Sequence, residues 1–262
     1  KAFNIKSLFG NVPQPDLNSA VIKNADGVVG LALFCSGNQL SGILLKNDTA
    51  DAMYYPHIAS NDKWWTGIVA YNPSPAGCTL TVKPYTEGGI ALATSEVTLG
   101  GREKYIGNTK SLNLPETAAW FQIDASHAIT GFELFGTANG KLLAGYTGVR
   151  IKGDAGVFAK LEKQGWTGIA FVNITDAAAD VDLTAYSDAG AVVATRTIAL
   201  NPYQKMVDNP EALFADAIDT ASYIRYASGS ELVGFQLNGS ADGYMLDGLP
   251  GMPTAGTGGE KN

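Results

Sequence analysis

One short phrase occurs twice in this chain, and it constrains the fold more than any other feature. "WWTGIVAYN" begins at Trp64 and "GWTGIAFVN" begins at Gly165, so that Trp65 and Trp166 are 101 residues apart. The same offset aligns "LTVKPYTEGGIALATSEVTL" with "VDLTAYSDAGAVVATRTIAL" without a gap. A fixed internal period indicates that one structural unit is used repeatedly.

A second repeated segment follows each copy of the first. "GFELFGTANGKLLAG" ends at Gly145 and "GFQLNGSADGYMLDG" ends at Gly248, at an offset of 103 residues. A shorter third copy, "GLALFCSGNQLSG", ends at Gly42, ahead of both Trp phrases. One copy of the second segment is therefore unpaired. It is the N-terminal copy if each first segment pairs with the second segment after it, or the C-terminal copy if each second segment pairs with the first segment after it. We expect it to pack within the chain or to pair with another chain, because isolated domains rarely expose large apolar patches, and we favour packing within the chain.

The residue pattern of each half-unit predicts strands rather than helices. Runs rich in β-branched and aromatic residues alternate with turn residues, and Asn139-Gly140 and Asp242-Gly243 suit the tight turns of β-hairpins. The charged fraction is only 16% and there are 31 glycines, which favours a β protein with many turns. We predict an all-β fold with two tandem antiparallel β-sandwich units, Ig-like or jelly-roll-like.

The repeat also predicts boundaries and a few local features. We place the first sandwich at 1–107 and the second at 108–250, with an alternative split near 150, and expect 251–262 to be a flexible, Gly-rich tail. A short helix is expected only within 209–218, where Pro210 follows a capping Asn209.

The repeated phrase itself is interpreted as a buried strand. Trp65 and Trp166 would be anchors of the two cores, because repeated aromatic residues usually dominate core burial. Asn72 and Asn173, at the end of each phrase, would bind backbone groups where the strand ends.

These phrases, together with "YYPHIASNDK" ahead of the first copy, resemble tandem β-sandwich repeats of secreted and surface-attached bacterial proteins. The resemblance covers nearly the whole chain before the tail, and it implies an extracytoplasmic module without naming a chemistry. The second copy departs from the first, because Phe158 stands opposite His57 and Gly165 opposite Trp64 at the 101-residue offset.

Charge and hydropathy exclude several classes of partner. The net charge of −7 argues against nucleic acid, whose binding depends on basic neutralisation of phosphates. No apolar run is long enough for membrane insertion. We expect an extracellular, cell-surface or periplasmic location. The two cysteines, Cys35 and Cys78, allow one disulfide, which would join two half-units of the predicted first sandwich.

The sequence offers few candidates for chemistry. It has no nucleophile elbow, zinc motif or nucleotide-binding loop, so we expect no catalytic residue, no metal and no cofactor, while calcium held by dispersed carboxylates stays open. A half-buried structural histidine is one interpretation of the region around His57. The alternative is an aromatic ligand-binding site formed by Tyr54, Tyr55, His57, Asp62, Trp64 and Trp65.

These observations predict a non-enzymatic extracellular β-sandwich module for adhesion, spacing or protein binding, with another surface protein or a glycan as its partner. The first alternative is a carbohydrate-binding module that uses exposed aromatic rings. The second alternative is a hydrolase with dispersed carboxylates.

Overall fold

The computed structural model describes residues 2–17, 19–24, 26–37, 39–45, 49–148, 152–215 and 217–254. These residues divide into two compact units, one before Leu31 and one from Leu31 onwards. The first unit contains a 3-10 helix, Ile5–Phe9, which is capped by the Asn4 side chain and followed by Gly10 in the left-handed conformation. All of its helical residues are exposed.

The second unit is almost entirely β-structure, which confirms the all-β prediction. Its one helix among the described residues, α1, spans Pro210–Phe214 and is capped by Asn209 as predicted. The strands are β1 (Leu31–Ser36), β2 (Gln39–Leu44), β3 (Ala50–Tyr55), β4 (Trp64–Tyr71), β5 (Cys78–Tyr85), β6 (Ser95–Leu99), β7 (Lys104–Asn108), β8 (Trp120–Thr137), β9 (Leu143–Thr147), β10 (Gly153–Phe158), β11 (Gly165–Asn173), β12 (Ala179–Tyr186), β13 (Val192–Leu200), β14 (Lys205–Asp208), β15 (Tyr223–Ser240), β16 (Leu246–Pro250) and β17 (Met252–Pro253).

These strands form three groups, and every pairing is antiparallel. β1 and β2 form a hairpin, β3 to β9 form one sheet, and β10 to β17 form another. In the first sheet the long strand β8 pairs with β3 and β5 through its first half, and with β4 and β9 through its second half. In the second sheet β15 pairs with β10 and β12, and then with β11 and β16, in the same way.

The strand pairing changes from one sheet to the other between Thr147 and Gly153, close to the alternative split near 150. Residue 107 lies inside the first sheet, because β8 pairs with strands on the other side of that position. The flexible tail was predicted to begin at residue 251, which is too early. Met252 pairs with Val157 and Thr254 donates its N–H to Ala155 O, so 252–254 extend the second sheet, and 255–262 lie outside the described residues.

Each sheet buries its own hydrophobic cluster. Ile68, Leu80 and Ile123 lie in the first cluster, whereas Ile169 and Leu183 lie in the second. Residues of β4, β5 and β8 meet in the first cluster.

The repeated asparagines close loops at the end of a strand, as predicted. Asn72 Nδ2 donates to Ala76 O (2.7 Å) and Gly100 O (2.9 Å), and Asn173 Nδ2 donates to the equivalent carbonyls of Ala177 and Asn201. Both side chains are fully buried. The residue type is fixed here because an amide supplies donors and an acceptor at one buried point.

Strand pairing corrects one alignment made from the sequence. Tyr55 pairs with Phe121 and Phe158 pairs with Ile224, so the counterpart of Phe158 is Tyr55 rather than His57. The offset changes from 103 to 101 between β10 and β11, because the connection there is two residues shorter than the one between β3 and β4.

Candidate functional site

The six residues of the sequence-predicted binding site differ widely in exposure. Tyr54 and Tyr55, in β3, are 7% and 0% exposed, and Tyr55 stacks on Phe121 with ring centroids 4.5 Å apart. Trp64 and Trp65, in β4, are half-buried. A buried tyrosine ring offers no face to a sugar, so Tyr54 and Tyr55 cannot form the stacking surface that the sequence suggested. Asp62 is exposed in the connection before β4.

The two repeated tryptophans are not core anchors, and that interpretation is wrong. Trp166 is 42% exposed and Trp65 is half-buried. Both rings lie over a glycine on the neighbouring strand, since a Cβ on Gly136 would lie 2.1 Å from Trp65 Cζ2 and a Cβ on Gly239 would lie 2.2 Å from Trp166 Nε1. The period of two along a strand explains the error: Ile68, not Trp65, is on the face of β4 that points into the core.

A third hydrophobic cluster joins the two sheets, and we call it the seam. Tyr85 stacks on Trp120 (4.3 Å) and on Tyr203 (5.2 Å), and Trp120 Nε1 donates to Tyr203 O (3.0 Å). Phe135 packs on Phe235 with a centroid distance of 5.2 Å. The buried members of the seam are Tyr54, Trp120, Phe135, Ala144, Tyr146, Ala170, Val172, Val233, Phe235 and Leu237.

His57 and Lys205 meet across the seam. Lys205 Nζ lies 2.8 Å from His57 Nδ1 and donates to Ala119 O at 3.0 Å. Burial lowers the pKa of His57 well below its ordinary value, and the nearby Lys205 ammonium lowers it further. Burial also lowers the pKa of Lys205 to about 8, against the opposing effect of Glu87 and Glu133. The histidine is therefore neutral and accepts a hydrogen bond through Nδ1.

A second polar pair lies close to the seam. Tyr146 OH donates to Glu133 Oε2 at 2.6 Å, and both side chains are buried. Burial raises the pKa of Glu133 well above its ordinary value, which the bond from Tyr146 and the charge of Lys205 only partly offset. Burial likewise raises the pKa of Tyr146. Within the described residues, Glu133 Oε1 and Tyr55 OH have no hydrogen-bond partner.

Sequence reasoning identified His57 but missed the residues that surround it. Lys205 and Glu133 lie in strands whose neighbours are apolar, and an isolated charge in such a strand is the signal that could have found them. The contact between Lys205 and His57 could not be found in this way, because the two residues are about 150 positions apart in the sequence.

A cleft of about 320 Å³ lies beside the start of β11. Trp166 contributes to its lining, and its exposed ring contrasts with the buried tyrosines of β3. Lys163, Asn209, Glu211 and Asp219 bring polar groups to the same cleft.

The possible disulfide is absent, because Cys35 and Cys78 are both free. Cys35 is exposed in β1, whereas Cys78 is buried in β5 with its Sγ 3.5 Å from His127 O. The thiols thus occupy different environments in separate sheets.

The described part of the chain contains no group of three or more His, Cys, Asp or Glu side chains placed to hold a metal ion. Asp242, in the Asp242-Gly243 turn, accepts from Ser240 Oγ and from Tyr244 N, as expected of a turn residue. None of the described helices has the length and apolar character needed to cross a bilayer.

Comparisons with known proteins assign neither family nor activity. No protein-family model and no curated protein matches the sequence. Thermotoga maritima 1070 is 13% identical over 38% of this chain and 93% of its own, with a TM-score of 0.34. A Parabacteroides distasonis protein described as a putative secreted protein is 8% identical over 86% of this chain and 85% of its own, with a TM-score of 0.20. Bacteroides uniformis beta-glucuronidase 2 is 10% identical over 71% of this chain but only 24% of its own, with a TM-score of 0.17. These scores are too low to support an argument about fold or function.

Proposed function

We propose that the chain is a non-enzymatic, extracellular repeat module that acts as a rigid spacer and protein-binding element. In this proposal the two sheets are tandem antiparallel β-sandwiches of the predicted repeat, one formed by β3–β9 and the other by β10–β17. The similar pairing of β8 and β15, and the separate buried cluster within each sheet, support this division.

The observation that carries the proposal is the seam. Flexible linkers let domains reorient when their interface is small and polar. Here stacked aromatic rings, the Trp120–Tyr203 bond and the His57–Lys205 contact join the sheets. Separating them would expose apolar surface and leave buried polar groups without partners, which opposes bending.

Amide spin relaxation tests this rigidity. We expect 50–147 and 153–253 to tumble with one correlation time. Phe135→Ala combined with Phe235→Ala should loosen the seam and give two correlation times. Phe158→Ala is the matched control, because it truncates a buried phenylalanine of the second cluster and leaves the seam intact. Independent tumbling of the two ranges in the wild-type chain would exclude a rigid spacer.

Carbohydrate binding is the second candidate, and the exposed Trp166 ring favours it. A tryptophan face beside amide, carboxylate and ammonium groups has the chemistry that stacks on a pyranose and hydrogen-bonds its hydroxyls. A glycan array followed by fluorescence titration tests it. A hit abolished by Trp166→Ala supports the cleft, and one abolished only by Trp64→Ala returns the site to β4. An array without hits argues against sugar binding.

A further inference from the structure

The side chain of Lys205 belongs to the second sheet, but it is bound by groups of the first. Lys205 begins β14 and is 4% exposed. Its Nζ donates to His57 Nδ1 (2.8 Å), in the connection after β3, and to Ala119 O (3.0 Å), just ahead of β8. The His57 ring lies 5.6 Å from the Phe135 ring and 6.1 Å from the Phe235 ring, which fixes the direction of its lone pair. A lysine is almost never fully buried unless it is paired, so this ammonium group occupies a built polar site.

Two carboxylates of the first sheet act on the same ammonium group. Burial lowers the pKa of Lys205 to about 8, and Glu87, in the turn between β5 and β6, and Glu133, in β8, oppose this fall by favouring the charged form. A primary ammonium group has three donors and no acceptor. The site offers an imidazole lone pair, a carbonyl oxygen and negative charge, so its chemistry fits a primary ammonium group and disfavours an anion.

The backbone beside Lys205 fixes the point at which its stem enters the site. Lys205 N donates to Glu87 O at 3.0 Å. Gly89, in the same turn as Glu87, lies against the segment ahead of β14, because a Cβ there would lie 2.2 Å from Pro202 O. The missing side chain of Gly89 is what permits this close approach of the two backbones. The lysine stem is therefore held at a fixed place, from which its four carbons carry the ammonium group into the first sheet.

The second sheet has a place equivalent to this site. Leu161 N donates to Ser222 O there, in the same way as Ile58 N donates to Ala119 O in the first sheet. Lys160 directly precedes Leu161, and it stands where the first sheet has its imidazole acceptor. The two sheets can therefore be compared residue by residue at this point.

The equivalent place in the second sheet has the wrong chemistry for an ammonium group. Gln236 pairs with β11 as Glu133 pairs with β4, so an amide replaces the carboxylate. Gln236 Nε2 donates to Lys160 O, and Lys160 Nζ lies 3.1 Å from Glu162 Oε2. A second ammonium group placed there would meet a lysine instead of an imidazole lone pair, and repulsion of this kind is a common source of selectivity.

The lysine itself is not what distinguishes the two sheets. β7 begins with Lys104 as β14 begins with Lys205. These two lysines pair with equivalent residues, Tyr71 in β4 and Val172 in β11. Because a lysine stands at this position in both sheets, the selectivity lies in the groups that surround the ammonium group and not in the lysine.

We propose that the first sheet carries a binding site for a primary alkylammonium group, that Lys205 is its resident ligand, and that this pairing selects which sheet can be seated on the first one. His57 Nδ1 and Ala119 O accept its hydrogen bonds, and Glu87 and Glu133 supply the negative field. The inference rests on the seam of the proposed spacer and names the chemistry that holds the seam together. Rigid tumbling and ammonium recognition are separate properties, so each can fail alone.

Chemical rescue of Lys205→Ala in the full chain tests the site. The substitution removes a propyl stem and its ammonium group, which together correspond to propylammonium. We expect propylammonium chloride to stabilise this variant saturably, and at about ten times its dissociation constant the unfolding equilibrium constant should fall about elevenfold. 1-Propanol has the same stem without the charge and should stabilise the variant much less. The wild type, whose site is filled, and Lys141→Ala, in an exposed turn, should respond only as they do to sodium chloride at the same ionic strength.

The selectivity of the site is tested in the same background. His57→Lys combined with Lys205→Ala places in the site the residue type that the second sheet has at Lys160, and it should abolish the rescue by propylammonium. His57→Gln combined with Lys205→Ala is the matched control, because glutamine keeps a hydrogen-bond acceptor without adding charge, and it should retain part of the rescue. Equal rescue in both double variants would contradict the role given to His57.

A measurement on the wild type keeps the proposal testable if Lys205→Ala does not fold. The nitrogen resonance of Lys205 Nζ should be that of a slowly exchanging ammonium group at about pH 6 and should titrate with a pKa of about 8. An amine at about pH 6, or equal effects of propylammonium and 1-propanol on Lys205→Ala, would overturn the proposal. Independent tumbling of 50–147 and 153–253 in a chain whose Lys205→Ala variant is rescued would instead remove the rigid spacer and leave the ammonium site.

Discussion

Lys205 Nζ lies 2.8 Å from His57 Nδ1, and this contact joins β14 of the second sheet to the connection that follows β3. Both residues are buried, and burial lowers the pKa of each. Their protonation is therefore linked to the stability of the seam.

Lys205 should make stability rise in alkaline solution. Its folded pKa of about 8 lies below the ordinary 10.5, so between these values the unfolded chain binds one more proton than the folded chain. The free energy of unfolding then increases with pH, by at most about 3 kcal/mol for this group. Urea unfolding across this range should show the rise in the wild type and not in Lys205→Met. Lys141→Met, in an exposed turn, is the control, and an equal rise in both variants would contradict the assignment.

His57 should make stability fall in acid. Its folded pKa is well below 6.5, so below about pH 6.5 the unfolded chain takes up a proton that the folded chain does not. The wild-type chain should lose more stability than His57→Gln as pH falls from this point. Glu133 acts in the opposite direction, because its raised pKa favours the folded state in acid. Both the wild type and His57→Gln contain Glu133, so comparing their stabilities at the same pH cancels its effect. His127→Gln, at an exposed position, should follow the wild type.

Asn72 should be costly to replace. Asn72→Ala removes a fully buried amide that bonds Ala76 O, Gly100 O and Ser74 N, and we expect a loss of about 2–4 kcal/mol in the free energy of unfolding. Asn173→Ala should cost a similar amount, because its bonds are equivalent. Asn139→Ala, in an exposed hairpin turn, should cost much less. Similar small losses at all three positions would show that the buried bonds contribute little.

Replacing the glycines under the two tryptophans by alanine should cost different amounts of stability. Gly136→Ala forces Cβ against a half-buried Trp65 ring and should cost about 1–3 kcal/mol, whereas the exposed Trp166 ring can move away from Gly239→Ala at little cost. Thermal unfolding gives both values. Trp65→Ala added to Gly136→Ala should then recover part of the loss, and a purely additive double variant would show that the ring is not what the new methyl group meets.

The sequence by itself determined the strand content, the capped helix at Asn209 and the backbone-binding role of Asn72 and Asn173. These depend on local pattern: alternation of apolar residues, turn dipeptides, and a side chain that bonds carbonyls close to its own strand end. Local pattern also placed Trp65 in a strand, but it could not tell which side of the pleat faces the core, and a shift of one residue exchanges the two sides.

Only the tertiary structure decided what surrounds each candidate residue. His57 was visible in the sequence, but Lys205 reaches it from the other sheet. Tyr54 and Tyr55 were aromatic candidates until the packing of β3 buried them. Contacts between distant segments are set by how whole sheets pack, and this information is spread over many residues rather than carried by any short motif.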